Sequence, residues 1–336
     1  MSLQISKKEL LEWQRPSDGQ GFLAVLTTWG MIAASFALVA IFPQLWVRLF
    51  TVPFALMILG GRHLALAILM HEASHGQLFA KKKINDFVGQ WFCAYPTWQD
   101  LNRYRISHLR HHLYTGSQDD PDLSLVTPFP VKTRSFQRKL LRDLSGLSGL
   151  KRILGLFLMD FGFIEYSTAG QVVPIPPPPG GRRVLPTLKL GMKNMGGVIL
   201  VNAILWGLLA LFHQGHLMIL WFLAYLIPFS VFVRIRSIAE HACISPPQLD
   251  KSKSAMDPFS YTRTTYANCL ARVTVAPHRV NYHLEHHLLM KVPFFRLPKL
   301  HQKLLAQGHY QDSQGHFRAE ISPNYWQVLQ KAIIRP

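Results

Sequence analysis

Eight of the sixteen histidines fall in three tight clusters. His71 and His75 stand in "HEASH", His108, His111 and His112 in "HLRHH", and His283, His286 and His287 in "HLEHH". Spacings of three or four put side chains on one face of a helix, roughly 5–6 Å apart. Each cluster is therefore expected to present two or three imidazoles toward one point. Imidazole suits zinc, copper, iron and nickel alike. One such ion takes three or four protein ligands, so eight clustered rings point to two metal ions.

His71-Glu72-Ala73-Ser74-His75 also spells H-E-x-x-H, the zinc metalloprotease spacing in which the Glu acts on water. An intramembrane protease would carry that motif in a membrane helix, but it leaves both H-x-x-H-H boxes without a role. Cys93, Cys243 and Cys269 lie far apart and form no C-x-x-C. That pattern supports neither a thiolate zinc site nor a disulfide framework, and it fits free thiols in a reducing compartment.

The elements that must position these rings are apolar. Residues 22–42, 50–70, 196–213 and 217–233 are long apolar stretches. A hydrocarbon core of roughly 30 Å takes about 20 such residues, with a lower limit near 17. The stretches form two hairpins, closed by "PQLWVRL" and "HQG". Arg48 is the one basic residue in these turns and Arg62 lies within the second span; the other 34 of 36 Lys and Arg lie elsewhere. By the positive-inside rule the segment 1–21, the region 71–195 and the region 234–336 face the cytoplasm, and all three clusters with them. The expected fold is an all-α integral membrane protein. Two transmembrane hairpins (22–70 and 196–233) would carry a cytosolic helical cap holding a histidine-rich site for two metals, with both termini on the cytoplasmic side.

The net charge of +18 suits a membrane surface; no nucleic-acid-binding motif accompanies the basic residues. The N-terminus lacks the pattern of a signal peptide. Residues 135–163 mix leucines with basic residues and predict a helix lying in the interface. "VVPIPPPPGGRR" (172–183) predicts a polyproline connector and turn.

The segments "HEASH", "RISHLRHHLYTGSQDDPDL" and "NYHLEHHLLMKVPFFRLPKLH", with the two hairpins, resemble the membrane fatty acid desaturase family over roughly residues 45–305. That resemblance implies a non-heme di-iron oxidoreductase of lipid metabolism. It would use O2 to remove two hydrogens from an acyl chain and leave a C=C bond. It also implies a fatty acyl lipid, acyl-CoA or acyl-carrier substrate, and electrons from a separate ferredoxin or cytochrome b5. The positive charge suits an acidic carrier. A lipid or carotenoid hydroxylase or ketolase of the same superfamily is the alternative, and the zinc protease a more distant one. No heme-binding H-P-G-G is present, and the third box begins with His283 rather than Gln. These features argue against a fused cytochrome domain and the front-end subclass.

The resemblance adds His241 in "RIRSIAEHACI" as a ninth ligand. Ser237 stands where some relatives carry a water-holding Asn, so Ser237 or Glu240 could take that part. Glu72, Asp119, Asp120, Asp122, Glu240 and Glu285 are carboxylates that could hold the outer nitrogens of ligand imidazoles. For the "SQDDPD" acids a capped turn before Pro121 is the other reading. Arg105 and Arg110 could bind a headgroup or carrier. His63 is expected to pack against another helix. His213 and His216 fall on the opposite side of the membrane, and His278, His301, His309 and His316 are expected to be ordinary.

Overall fold

Among the described residues, four helices are long and apolar enough to cross a bilayer: Lys7–Ile41, Leu45–Ser74, Val184–Leu211 and Gly215–His241. The computed structural model describes residues 5–166, 172–244, 258–311, 315 and 319–334; His316 lies outside them. In chain order, the elements that build the site begin with α1 (Asp18–Ile41), α2 (Leu45–Ser74) and α3 (Leu101–Tyr114). They continue with α4 (Thr133–Leu144), α5 (Leu147–Asp160), α6 (Val184–Leu211) and α7 (Met218–Leu226). The last three are α8 (Pro228–His241), α9 (His283–Leu288) and α10 (Leu297–Ala306). The strands are short pairs. Arg263–Thr265 lies parallel to Glu320–Ser322, and Val131–Lys132 parallel to Ile333–Ile334, each tying the C-terminal region to the cap.

α2 is the pillar. From Leu59 to Ser74 every residue but Ala67 is buried, as expected of a helix apolar on all sides. It packs against α1, α3, α7 and α8. α6 is the opposite case: only Gly191, Met195 and Val198 are buried, and most of its leucines, with Ile204 and Trp206, face outward, while Leu205 and Leu209 pack against the core. Such a surface is stable against hydrocarbon, since every backbone group is bonded within the helix. α1 starts at Ser17, whose hydroxyl accepts from the Gln20 amide, a standard N-cap.

Three expectations change in detail. α6 begins at Val184, twelve residues before the expected start at 196, because "VLPTLKLGMKNM" continues the helix below the apolar stretch. The interfacial segment 135–163 is two helices, not one. Gly146 has φ +79°, a left-handed conformation that costs glycine nothing, and it separates α4 from α5. The fourth span is divided at Pro228, which has no amide hydrogen to donate. The predicted connector at 172–183 pairs Val172–Pro174 antiparallel with Ile164–Tyr166 and then turns at Gly180 and Gly181.

The ionisable residues of the second span are packed. His63 Nε2 lies 3.1 Å from the Trp221 carbonyl and the ring lies 3.8 Å from the Trp221 ring, the helix packing expected for it. Arg62 donates to the Val273 carbonyl at 2.7 Å. Beside it, a Cβ on Gly61 would stand 2.1 Å from that same carbonyl oxygen. Gly61→Ala is therefore expected to cost about 1–3 kcal/mol through overpacking. Gly30, with nothing within 4 Å of an added Cβ, should accept Ala without loss. Thermal unfolding of the two variants in detergent checks this.

Candidate metal centre

Four helix ends converge. His71 occupies the last turn of α2 and His75 caps it; α3 carries His108, His111 and His112. His241 is the last residue of α8, and α9 begins at His283. Their nitrogens form two groups, each with all members within 4.8 Å: His71, His75, His108, His112 and His286 in one, and His111, His241, His283 and His287 in the other.

The boxes therefore do not each grip one point, as their spacing alone had suggested. Within box two, His108 and His112 join the group of five while His111 turns to the group of four; within box three, His283 and His287 stay with the four while His286 crosses. At about 100° per residue, an i,i+4 pair differs by roughly 40° in direction, whereas the i+3 ring diverges from the i+4 ring by roughly 100°.

The inner Nε2 atoms crowd together. His71 and His286, His286 and His112, His112 and His108, and His108 and His75 are each 3.0 Å apart. His283 Nε2 lies 2.8 Å from His241 and 3.1 Å from His287. A neutral imidazole carries one N–H, so such clusters satisfy one another only in part, while a cation accepts every lone pair at once. Metal–nitrogen bonds of about 2.1 Å meeting at right angles would separate neighbouring nitrogens by about 3.0 Å. The donor sets fit one metal ion each.

Electrostatics point the same way. Burial, and after it the charge of neighbouring imidazoles, holds His108, His112, His283, His286 and His287 well below the ordinary imidazole range. These rings are neutral and free to ligate near pH 7. His111 differs. Burial opposes its protonation, but the hydrogen bond to Asp120 and the charges of Asp122 and Asp120 outweigh burial and raise it.

The sequence-predicted carboxylates divide. Asp120 Oδ1 lies 2.7 Å from His111 Nδ1 and accepts from the Asp122 amide at 2.8 Å, while Oδ2 accepts from Gly116 at 2.9 Å. It holds the imidazole and closes the turn together, so both readings of that segment apply to it. Asp122 stands 3.9 Å from His111 Nδ1, and Asp119 is exposed, 3.9 Å from Arg110 and beside no imidazole. Glu72 Oε1 is 3.6 Å from His71 Nδ1, and Oε2 accepts from the Phe294 amide at 3.0 Å. Glu240 pairs with Arg236 at 2.6 Å and lies 3.6 Å from His283 Nδ1. Ser237 donates to the Val233 carbonyl. Glu285 turns away from the imidazoles. It accepts from Thr264 at 2.5 Å and from Tyr310, and lies 2.7 Å from Nδ1 of His301. His301, expected to be ordinary, is thus buried on α10 as part of the support beneath box three.

Other supports left little trace in the sequence. Arg105 is engaged within the fold: it donates to the Ala73 and Ser74 carbonyls and is held by Asp86 at 2.6 Å. Asn85 donates to the Ala73 carbonyl at 2.9 Å. Together they satisfy the open end of α2. Arg263, fully buried, does the same for α8, reaching the carbonyls of Ile238, Ala239 and Ala242. Tyr261 O lies 2.8 Å from His241 Nδ1 and Thr115 Oγ1 3.4 Å from His287 Nδ1. A backbone acceptor there makes Nδ1 of His241 the protonated nitrogen and leaves Nε2 for a metal.

A cavity of about 690 Å³ adjoins the centre, bounded by Leu64 and Met70 of α2, Tyr104, His111, Phe229 and His241. An extended apolar ligand could reach the imidazoles through it.

Two tests follow from this geometry. Asp120→Ala removes the group that orients His111, and losing such a partner lowers metal affinity about 10–100-fold. Metal retained after dialysis against a chelator should fall from about two ions per chain toward one, the group of five keeping its own. Glu320 provides a pH test. Burial raises its pKa, but Arg263, at 3.0 Å, and Lys331, at 2.7 Å, outweigh burial and lower it. A carboxyl depressed in the fold contributes stability above its unfolded pKa and loses it as pH falls through the folded one. The metal-free protein should lose melting temperature below the usual carboxylate range. Glu320→Gln should cost on the order of 2 kcal/mol at pH 7 and remove that part of the acid response.

The sequence profile of the fatty acid desaturases matches residues 44–316. Dihydrorhizobitoxine desaturase of Bradyrhizobium elkanii is 28% identical over 302 residues, covering 87% of this chain and 77% of that protein. The profile spans α2, both H-x-x-H-H boxes and His241, the residues that the folded chain gathers into two nitrogen clusters. The chain belongs to the fatty acid desaturase family.

Proposed function

We propose that this oxidoreductase desaturates an acyl chain at a pair of irons held by the nine histidines, using O2 and electrons from an external carrier. The observation that carries the reading is the convergence of two imidazole groups at the end of a cavity that reaches down along α2. His71, His75, His108, His112 and His286 would hold one iron, and His111, His241, His283 and His287 the other. The ions would supply, with O2, an oxidant for a C–H bond that no side chain can break alone.

The polypeptide supplies position and dryness. Leu64, Met70 and Phe229 give the cavity an apolar wall, along which a chain can lie with one carbon against the imidazoles. Asp120 and the Tyr261 carbonyl fix the tautomers of His111 and His241. The protease reading is less favoured, because one oxygen of the Glu72 carboxylate accepts from the Phe294 amide and both H-x-x-H-H boxes join the same nitrogen groups. The relative named for dihydrorhizobitoxine is a desaturase, which favours alkene formation over hydroxylation.

Membrane sidedness belongs to the same proposal. The basic residues outside the two hairpins support a cytoplasmic placement of both termini and of the metal groups, within reach of a ferredoxin or cytochrome b5. Purified protein should carry about two irons per chain and consume O2 only with a reduced carrier. His286→Ala should lower bound iron and abolish product, and lipids of an expressing host should gain an unsaturated acyl species. One zinc per chain with O2-independent turnover, or a hydroxylated product, would overturn the assignment.

A further inference from the structure

Three of the nine imidazoles are only half-buried: His75, His112 and His241. His241 borders the cavity, and neither His75 nor His112 does. The open edges of these two rings therefore belong to the outer surface of the cap. Both rings serve the group of five. In the group of four, His111, His241 and His283 border the cavity and His287 is buried. A reactant that arrives from outside the cavity thus meets the group of five first.

α3 supplies the surface beside those edges. At about 100° per residue, Leu109, Leu113, Ile106 and Arg110 follow one another within an arc of about 100° on the side away from His108 and His111. Leu109 is 42%, Leu113 55% and Ile106 74% exposed. His112 stands about 60° from Leu109, at the margin of this stripe. Cations surround it. Lys81, Lys82 and Lys83 are exposed in the segment after His75, and Lys82 reaches the Asp86 carboxylate that also holds Arg105 of α3. Arg110 is exposed as well, and Asp18, Asp86 and Asp119 offset these charges only in part. A single exposed leucine needs no explanation, whereas an aligned apolar patch rimmed by charge is the pattern of a contact surface. Asn102 and Arg110 share the arc, and hydrocarbon disfavours both. The surface suits an acidic protein better than a bilayer.

We propose that an acidic one-electron carrier protein docks on the Ile106, Leu109 and Leu113 face of α3 and delivers electrons to the group of five past the open edges of His112 and His75. This deepens, and rests on, the reading of the chain as an O2-dependent desaturase. Each docked carrier is oxidised by one electron and the ion held by the group of five is reduced by one; no atom is exchanged. Two such encounters and two protons from water join the two substrate hydrogens in converting O2 to two waters. The cavity stays free, so carrier and substrate occupy the protein together.

The test is binding to the full-length protein in phosphatidylcholine nanodiscs, metal-free and iron-loaded, with two oxidised probes: a plant-type ferredoxin and the soluble haem domain of a cytochrome b5. At least one should bind both forms, and more weakly as salt rises. Leu113→Glu and, separately, Arg110→Glu should each lower that affinity at least about tenfold. Leu113→Met should keep it, as should Trp326→Ser on the exposed side of the C-terminal helix. Without O2, iron-loaded Leu113→Glu should take electrons from the reduced carrier at least about tenfold more slowly, and from reduced methyl viologen at the native rate. Undiminished carrier binding in both acidic variants would sink the proposal. So would quenching by brominated lipid of a fluorophore on Leu113→Cys (in Cys269→Ser), which would put the stripe in the bilayer. A change of oligomeric state in Leu113→Glu with carrier affinity intact would sink it too, giving the face to a second copy. A native chain that binds neither probe fails both this proposal and the external carrier. One that binds a probe through this face but holds a single zinc fails the desaturase reading alone.

Discussion

Nine buried or half-buried imidazoles must gather their inner nitrogens into two groups, each within 4.8 Å. Burial favours this, because a ring withdrawn from water loses affinity for a proton and keeps its lone pair; His111, whose proton Asp120 favours, is the exception. Helical periodicity then sorts the rings. In each H-x-x-H-H box the i,i+4 pair serves one group and the i+3 ring crosses to the other, so α3 and α9 exchange His111 and His286 between two centres. The remaining structure holds four helix ends where this exchange can occur.

Two of those ends, of α2 and α8, are helix C-termini that carry the spans out of the apolar layer. A helix C-terminus has partial negative charge and open carbonyls. Its field favours cations, and here it faces the imidazoles. The carbonyls are claimed by Arg105 and Asn85 at α2 and by Arg263 at α8. These side chains set where each helix stops, and hence where His71, His75 and His241 stand. The two groups are not equally supported. In the group of four, Asp120, Tyr261 and Thr115 contact the outer nitrogens of all but His283, whereas in the group of five Nδ1 of His71, His112 and His286 has no hydrogen-bond partner among the described residues.

The apolar architecture separates two tasks. α2 is buried over about half its length, from Leu59 to Ser74 but for Ala67, and transmits position to box one; α6 spreads most of its leucines outward, a surface suited to hydrocarbon. Between them the cavity joins the lipid-level helices to the metal groups.

Much of this was legible in the residues. The three boxes, the four apolar stretches and Asp120 announce themselves through spacing and composition, because metal ligation and bilayer crossing each demand many residues of one type in a fixed pattern. The resemblance brought in His241. The partition of rings was not legible, since directions 100° apart on one helix become ligands of different centres only when a second helix fixes where the centres are. Glu285 shows the same limit. Helix geometry alone places it roughly 160° from His283 and His287, but its partners His301 and Tyr310 are known only once α10 packs beneath α9. The break at Gly146 and the capping by Arg105 also had no local signal, because any basic or small residue nearby would read alike. The chain by itself determined which side chains could bind metal and which segments could cross a bilayer. Tertiary packing decided which rings come together and which carboxylates contact them, for those are distances between segments that sequence periodicity does not contain.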